Sequence, residues 1–465
     1  MDSNAAAFKG HILMRFLLFT VMISSMSAMM FNVVLPEISE EFGLTLAEVS
    51  WMSSAYTIIY AFGTVTYGKL ADRYPLRSLL TFGLLLFAAG SLIGLLSQSF
   101  GMALIGRCLQ SAGAAAVPAT ALIIPIRYFP PEKRGGAMSM TAVGLALGGA
   151  IAPILSAIIV SFANWRWLFL PSLLMLLLIP LYRRYLEHEP KAAQRSFDWL
   201  GGLLLAASIT ALLLGITNHA RWAFAAAVLS FLLFLVRIHR TEEPFIQPQL
   251  LRSRPYAAAV LVAFLINGIG VSLFFLTPIL LADVYRMEPA YIGYAMVPAA
   301  IVSSLLGRLG GKLADRKGNS YLFITASLSL FACMVCLSLF TGVSPALVSL
   351  FLILGYAGQS YIQIAMANAV SVTLPKEQTG VGMGLFSMLS FISQGIAVSL
   401  FGIAAEQRAA VSWNPLHGDP GSAQFSNIYL VLAALHAGIL LFYCLRMRNR
   451  QPGVKAGHAQ PTGRP

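Results

Sequence analysis

The chain has 465 residues, 58% of them hydrophobic and only 11% charged, against the roughly 25% charged residues of soluble domains. That balance excludes a water-soluble globular protein. The formal net charge of +13 lies in short loops between apolar runs, which reads as positive-inside bias and not as a nucleic-acid surface.

A helical bilayer crossing needs about 20 mostly apolar residues, and lipid offers an open backbone no hydrogen bonds. Apolar runs predict fourteen helices, near residues 12–35, 49–69, 79–96, 102–125, 135–160, 166–182, 199–217, 220–237, 257–282, 291–311, 321–341, 346–372, 381–403 and 427–446. The start, MDSNAAAFKGHILMR, has no convincing cleavage site and is expected to be retained ahead of helix 1. Long alternating segments of a barrel are absent. The expectation is an all-α polytopic membrane protein, with six-helix halves over 12–182 and 255–446 and a linker with inserted helices 7 and 8 over 183–254. Tails cover 1–11 and 447–465.

Lysine and arginine set the sidedness. One alternating set of loops, with both tails, carries most of them, including Lys133, Arg183, Arg184, Arg254 and Arg446. The opposite loops hold Arg166, Arg221, Arg286 and Arg408. The biased set, and both termini, are therefore expected to be cytoplasmic.

A short sequence occurs twice. GKLADR stands at Gly68–Arg73 and again at Gly311–Arg316, each time read as a loop after the second helix of a half. Gly68 and Gly311 allow close helix approach, and Asp72 and Asp315 are suited to accept backbone N–H groups at the start of the next helix. Arg73, Arg77 and Arg316 are placed to pair with the neighbouring bundle. Such contacts exist only while that face is closed and would latch it; the plainer alternative is a static charged turn.

Inside the apolar segments, Arg107 stands out, because an intramembrane arginine normally faces protein or water. It is expected to face a cavity, with Gln110 on the same helix face. Gly144, Gly148, Ala152 and Ser156 form a small-residue ridge on helix 5, with Gly149 and Pro153 beside it. Asn267, Gln359, Gln363 and Gln394 supply amides for a cavity or for bonds between helices. Met26, Met29, Met30, Phe274 and Phe275 suit a deformable apolar pocket, with core packing the commoner role. Of the eighteen acids, none is placed in the middle of a helix. The spacing of Cys333 and Cys336 within FACMVCL reads as packing. No metal-ligand cluster, nucleophile triad or phosphate-cradling loop is apparent, so neither enzyme chemistry nor a cofactor is expected.

Taken together, GKLADR, NVVLP at 32–36, GRCLQSAGAAAVPA at 106–119 and NWRWLFLP at 164–171 resemble the major facilitator superfamily. The likeness is to its fourteen-helix drug:proton antiporter branch, near the Gram-positive tetracycline exporters. The resemblance implies two halves rocking about a central site, with Arg107 engaged in proton coupling or substrate binding. It also marks departures: Pro75 where the loop usually has glycine, Ala152 and Ser156–Ala157 where the helix 5 antiport signature has glycines. Ser27–Ala28, Gly149 and Gln394 stand where relatives carry acids.

The expected function is export of a small amphipathic compound by alternating access, as a monomer in the cell membrane, with protons as candidate co-substrate. Carriers for the proton would be His436, or Asp198, Asp283 or Glu406 if buried deeper than drawn. The alternatives are an uncoupled or anion-selective facilitator or importer built on Arg107, and a transport-deficient sensor.

Overall fold

The computed structural model describes residues 3–446 except 72–73, 119, 122–123, 125–130, 187–197, 218–219, 243, 247, 375–378 and 408–410. Among these residues there are fourteen long helices and no strand. Helix 1 is Ser3–Met30, extended by a 3-10 turn, Phe31–Val34, and by Leu35–Phe42. Helices 2 to 5 are Trp51–Leu70, Leu76–Leu95, Phe100–Ala114 and Pro131–Val160. Helix 6 begins as thirteen residues of 3-10 helix, Trp165–Leu177, and ends as α-helix, Leu178–Tyr185. The inserted helices 7 and 8 are Trp199–Thr217 and Arg221–Arg240. Helix 9 is broken at Val271 into Arg254–Gly270 and Ser272–Asp283, and helices 10 to 14 are Pro289–Lys317, Asn319–Phe340, Pro345–Val372, Thr379–Glu406 and Ala423–Arg446.

Short polar residues start several helices: Ser99 accepts from the Met102 N–H, Ser344 from Ala346, and Thr45 forms a reciprocal capping box with Glu48.

The second GKLADR copy is not a loop. Helix 10 continues through Gly311, Asp315 and Arg316 to Lys317, and the chain turns at Gly318, whose φ is 87°. Nothing in GKLADRK opposes a helix, whereas Gly318 can adopt the left-handed conformation. Asp315 therefore falls in the last turn of helix 10, and not at the start of helix 11. In the first copy helix 2 stops at Leu70 and helix 3 starts behind Pro75, a residue that disfavours helix in the one before it. Asp72 and Arg73 lie outside the described residues; Arg77 sits in the first turn of helix 3. At Gly68 no atom of the described residues lies within 4 Å of where a Cβ would be.

Among the described residues twelve segments are long and apolar enough to cross a membrane, and Pro289–Ser303 of helix 10 is a shorter apolar stretch. Helix 2 packs along helix 13 of the other half, and helix 10 along helix 5, so both face protein more than lipid. Three hydroxyls on helix 2 are satisfied locally, Ser54 on Ser50 O, Thr57 on Ser53 O and Thr66 on Phe62 O. The two seams are reciprocal, second helix on fifth helix, as an approximate twofold between the halves requires.

The seams close at the end away from the GKLADR repeats. Glu406, ending helix 13, accepts the Ala47 N–H at 2.6 Å. Ser399 donates to Ser54 at 3.1 Å, Gly402 lies against Ser50, and Gly293 against Pro153 and Ala157. Within the first half, helix 5 presents Gly144 and Gly148 to the Leu18 and Met22 carbonyls of helix 1, while Ser156 donates to Met30 O. Two four-residue rows thus run side by side, close enough that added Cβ atoms would meet backbone.

The inserted pair packs on itself and touches helices 2 and 13. Asp198, just before helix 7, is buried; it accepts from Gly201 N, from Arg237 Nε at 3.0 Å and from Phe245 N at 3.2 Å. Burial pulls its pKa upward, but the Gly201, Arg237 and Phe245 donors together hold it below the usual carboxylate range.

Two outcomes follow from these contacts. A depressed carboxylate contributes stability above its unfolded pKa, about 3.9 for aspartate, and loses it as pH falls through the lower folded value. Asp198→Asn should therefore lower the Tm at pH 7 and narrow the gap to the parent below pH 4, read by thermal unfolding in detergent. Glu406→Ala should loosen the closed end, so that a maleimide labels a Ser54→Cys reporter severalfold faster than in the parent; equal rates would show that the Ala47 contact holds nothing.

Candidate functional site

Each half builds its own polar cluster around its fourth helix. In the first half Arg107 of helix 4 is fully buried. Its Nη1 donates to Gln110 Oε1 at 2.7 Å and to Ser27 O of helix 1 at 3.1 Å; its Nε donates to Met52 O of helix 2 at 3.4 Å. The guanidinium lies between the rings of Phe31 and Tyr56, 4.4 and 4.1 Å from their centroids, so cation–π attraction acts from both faces. Gln110 passes the network to Ser91 of helix 3 at 2.9 Å. The side chain expected in an open cavity is instead enclosed between helices 1, 2 and 4. The small residues of helix 3 permit this: a Cβ on Gly90 would stand 2.4 Å from Gln110 N.

In the second half, Gln363 donates to Asn267 Oδ1 at 2.5 Å, Asn267 donates to Ser390 Oγ at 3.1 Å, and Gln394 donates to Ser390 O at 3.4 Å. Three of the four amides selected in the sequence thus meet between helices 9, 12 and 13. Gln359 stands apart from them: it is buried against Gly270, and its Oε1 has no partner among the described residues.

Between the halves lies a cleft of about 260 Å3, counting the space at its mouth. The first half lines it with Met29, Asn32, Val33, Gly149 and Pro153, the second with Phe274, Met296 and Tyr356. The 260 Å3 includes open solvent, and the enclosed room is about that of one water molecule, so the cleft is closed down in this conformation. Met29 and Phe274 belong to the apolar set noted in the sequence; Met26, Met30 and Phe275 are core. Gly149 has no atom within 4 Å of a Cβ position, which leaves space above it. Asn32 accepts from Ser53 at 2.6 Å, and Tyr356 stacks obliquely on Phe274 with centroids 4.4 Å apart.

Asn32 and Tyr356 were not singled out by motif reasoning, although a signal existed. Gly106, Gln110 and Ser111 of helix 4 recur at the same spacing as Gly355, Gln359 and Ser360 of helix 12, which puts Tyr356 where the first half has Arg107.

No described carboxylate lies in the middle of a spanning helix. Asp198 precedes helix 7, while Asp283 and Glu406 are exposed at the ends of helices 9 and 13. His436 is buried on helix 14, with Nε2 3.2 Å from Ser327 O of helix 11. No group of three or more metal-ligating side chains occurs among the described residues.

The family model of the Major Facilitator Superfamily matches residues 17–398. The chain belongs to that superfamily. Among its relatives is Multidrug resistance protein 3 of Bacillus subtilis, 24% identical over 89% of this chain and 83% of that one. Riboflavin transporter RibZ of Clostridioides difficile is also 24% identical, over 82% and 85%. The fold is similar to the crystal structure of a POT family transporter in complex with 5-aminolevulinic acid, with a TM-score of 0.68, 15% identity and 94% and 95% of the chains covered. It is likewise similar to the human organic anion transporter MFSD10, with a TM-score of 0.62, 16% identity and 93% and 99% covered. These structures share the fold. As a facilitator-superfamily transporter the chain is a multi-pass membrane protein that handles a small molecule and is not an enzyme.

In this transporter Arg107 ties three helices of one half together. Arg107→Ala would leave two carbonyls and Gln110 without their donor, a cost of about 1–3 kcal/mol for each buried group left unpaired. A fall in Tm of several degrees in detergent is expected, and Arg107→Lys should recover only part of it, since a lysine cannot donate along both directions or stack between two rings.

Proposed function

We propose that this chain exports a small amphipathic compound across the cytoplasmic membrane by alternating access, using the cleft between its halves. The observation that carries the reading is the cleft's construction: both halves line it, and reciprocal seams of helix 2 on 13 and helix 10 on 5 flank it. Rocking about such seams opens one end as it closes the other. The likeness to Multidrug resistance protein 3 supports export.

Positive-inside bias puts the GKLADR repeats and both termini in the cytoplasm. With the seams closed at the far end, the conformation is then inward-facing, and Gly68, Asp72, Arg73, Arg77, Gly311, Asp315 and Arg316 draw together when that face shuts. The halves are taken as 12–182 and 255–446, with 183–254 as the inserted section, and the protein as a working monomer. Asn267, Gln363 and Gln394 form one polar face of the second half, to which Gln359 adds a separate amide. Gly144 and Gly148 seat helix 5 on helix 1, so that Gly149 and Pro153 front the cleft. Protons are the candidate counter-ion. The anion-selective alternative built on Arg107 stays open, because the Arg107 Nη2 has no hydrogen-bond partner among the described residues, although Nε and Nη1 bond within their own half.

Flux in proteoliposomes, with and without an imposed pH gradient, tests this against neutral, cationic and anionic amphipathic compounds. Gradient-driven movement of at least one of them is expected. Flux indifferent to the gradient would remove proton coupling and leave transport; no flux of any compound would overturn the reading.

A further inference from the structure

We infer that the cleft is built for a neutral, flat aromatic compound carrying a hydrogen-bond acceptor such as a ring carbonyl, with Tyr356 as its donor. This rests on the transport reading for the cleft's role and goes beyond it by naming the chemical class.

Charge comes first. No lysine, arginine, histidine, aspartate or glutamate is among the described residues lining the cleft. The nearest charge in the fourth-helix register, Arg107, is enclosed between Phe31 and Tyr56 and directed at Ser27 O, Met52 O and Gln110. A net charge brought into an apolar, protein-lined space without an opposite charge is costly. The lining therefore selects for neutral compounds.

Shape and polarity come next. Phe274 and Tyr356 set an aromatic wall on one side, the methionines Met29 and Met296 yield to varied outlines, and open space stands above Gly149 opposite. An aromatic plate offered to such a wall gains offset stacking. The Tyr356 hydroxyl is buried and has no hydrogen-bond partner among the described residues. A buried donor left unmade costs free energy, and a ligand acceptor would satisfy it. The first half also leaves the Arg107 Nη2 and the Tyr56 hydroxyl unpartnered, but neither residue lines the cleft, and among the described lining residues the unpartnered buried donor is the Tyr356 hydroxyl.

The test uses purified full-length protein and three fluorescent probes of like outline: acridone (neutral, with a ring carbonyl), acridone-10-acetate (anionic) and acridine orange (cationic). Binding is read from the change in probe fluorescence. Acridone should bind, the charged probes should bind at least about tenfold more weakly, and Tyr356→Phe should weaken acridone about tenfold, the scale of one hydrogen bond of about 1.4 kcal/mol. Gly149→Leu, which fills the space opposite, should abolish acridone binding. The Tm of each variant is measured alongside, and a variant that unfolds is replaced by Tyr356→Trp and Gly149→Val. Binding of either charged probe as tight as acridone, binding of none, or full acridone affinity in Tyr356→Phe would each overturn the inference. Flux of a charged compound in proteoliposomes without acridone binding would do so while leaving the transport reading intact.

Discussion

Inside a bilayer-spanning protein every buried polar group must find its partner in the protein, and this constraint organises the molecule from the centre outward. Arg107 meets it by reaching the carbonyls of Ser27 and Met52, which fixes helices 1, 2 and 4 relative to one another. Glycines at 90, 106 and 113 let helices 3 and 4 come together behind it, because a side chain at any of them would meet backbone. Helix 1 is held in turn by the glycine row of helix 5. The first half is thus a block tied together from within, and its movable surfaces are the two seams, where serines and glycines meet serines and alanines. Small, weakly bonded surfaces suit a joint that must separate and re-form.

The fourteen helices were legible because their apolar runs are long and their breaks carry glycine, proline and charge. Helix 2 was found as well, although it is less apolar, because the surrounding loops bound it. The second GKLADR copy was misread: its resemblance to the first copy suggested a loop, but a turn depends on local backbone preference, and Gly318 supplies that only after the motif has ended. Likewise the type of Arg107 announced a special position, yet its orientation depended on Phe31, Tyr56, Ser27 and Met52, distant in sequence and brought together only by packing. Tyr356 was overlooked for the opposite reason. A tyrosine among apolar residues gives no signal until the register of Gly355 and Gln359 is laid over that of Gly106 and Gln110.

The two halves have kept a common frame and put different chemistry on it. Where helix 4 carries a cation bonded through Nε and Nη1 within its own half, helix 12 carries a tyrosine whose hydroxyl has no partner among the described residues. A transporter gains from such division, since one half can stay rigid while the other responds to what lies in the cleft.

Helix 6 adds a mechanical point. A 3-10 helix rises about 2.0 Å per residue and an α-helix about 1.5 Å, so Trp165–Leu177 reaches about 26 Å where thirteen α-helical residues would reach about 20 Å. Its ends are tied: Trp165 and Arg166 donate to Glu41, and Tyr182 shares a hydrogen bond with Thr20 at 2.7 Å. Rewinding it as α-helix would shorten it by about 6 Å and break one of those ties. Helix 6 is therefore a strut of fixed length along the flank of helix 1, and the motion of this half is that of a body braced at both faces.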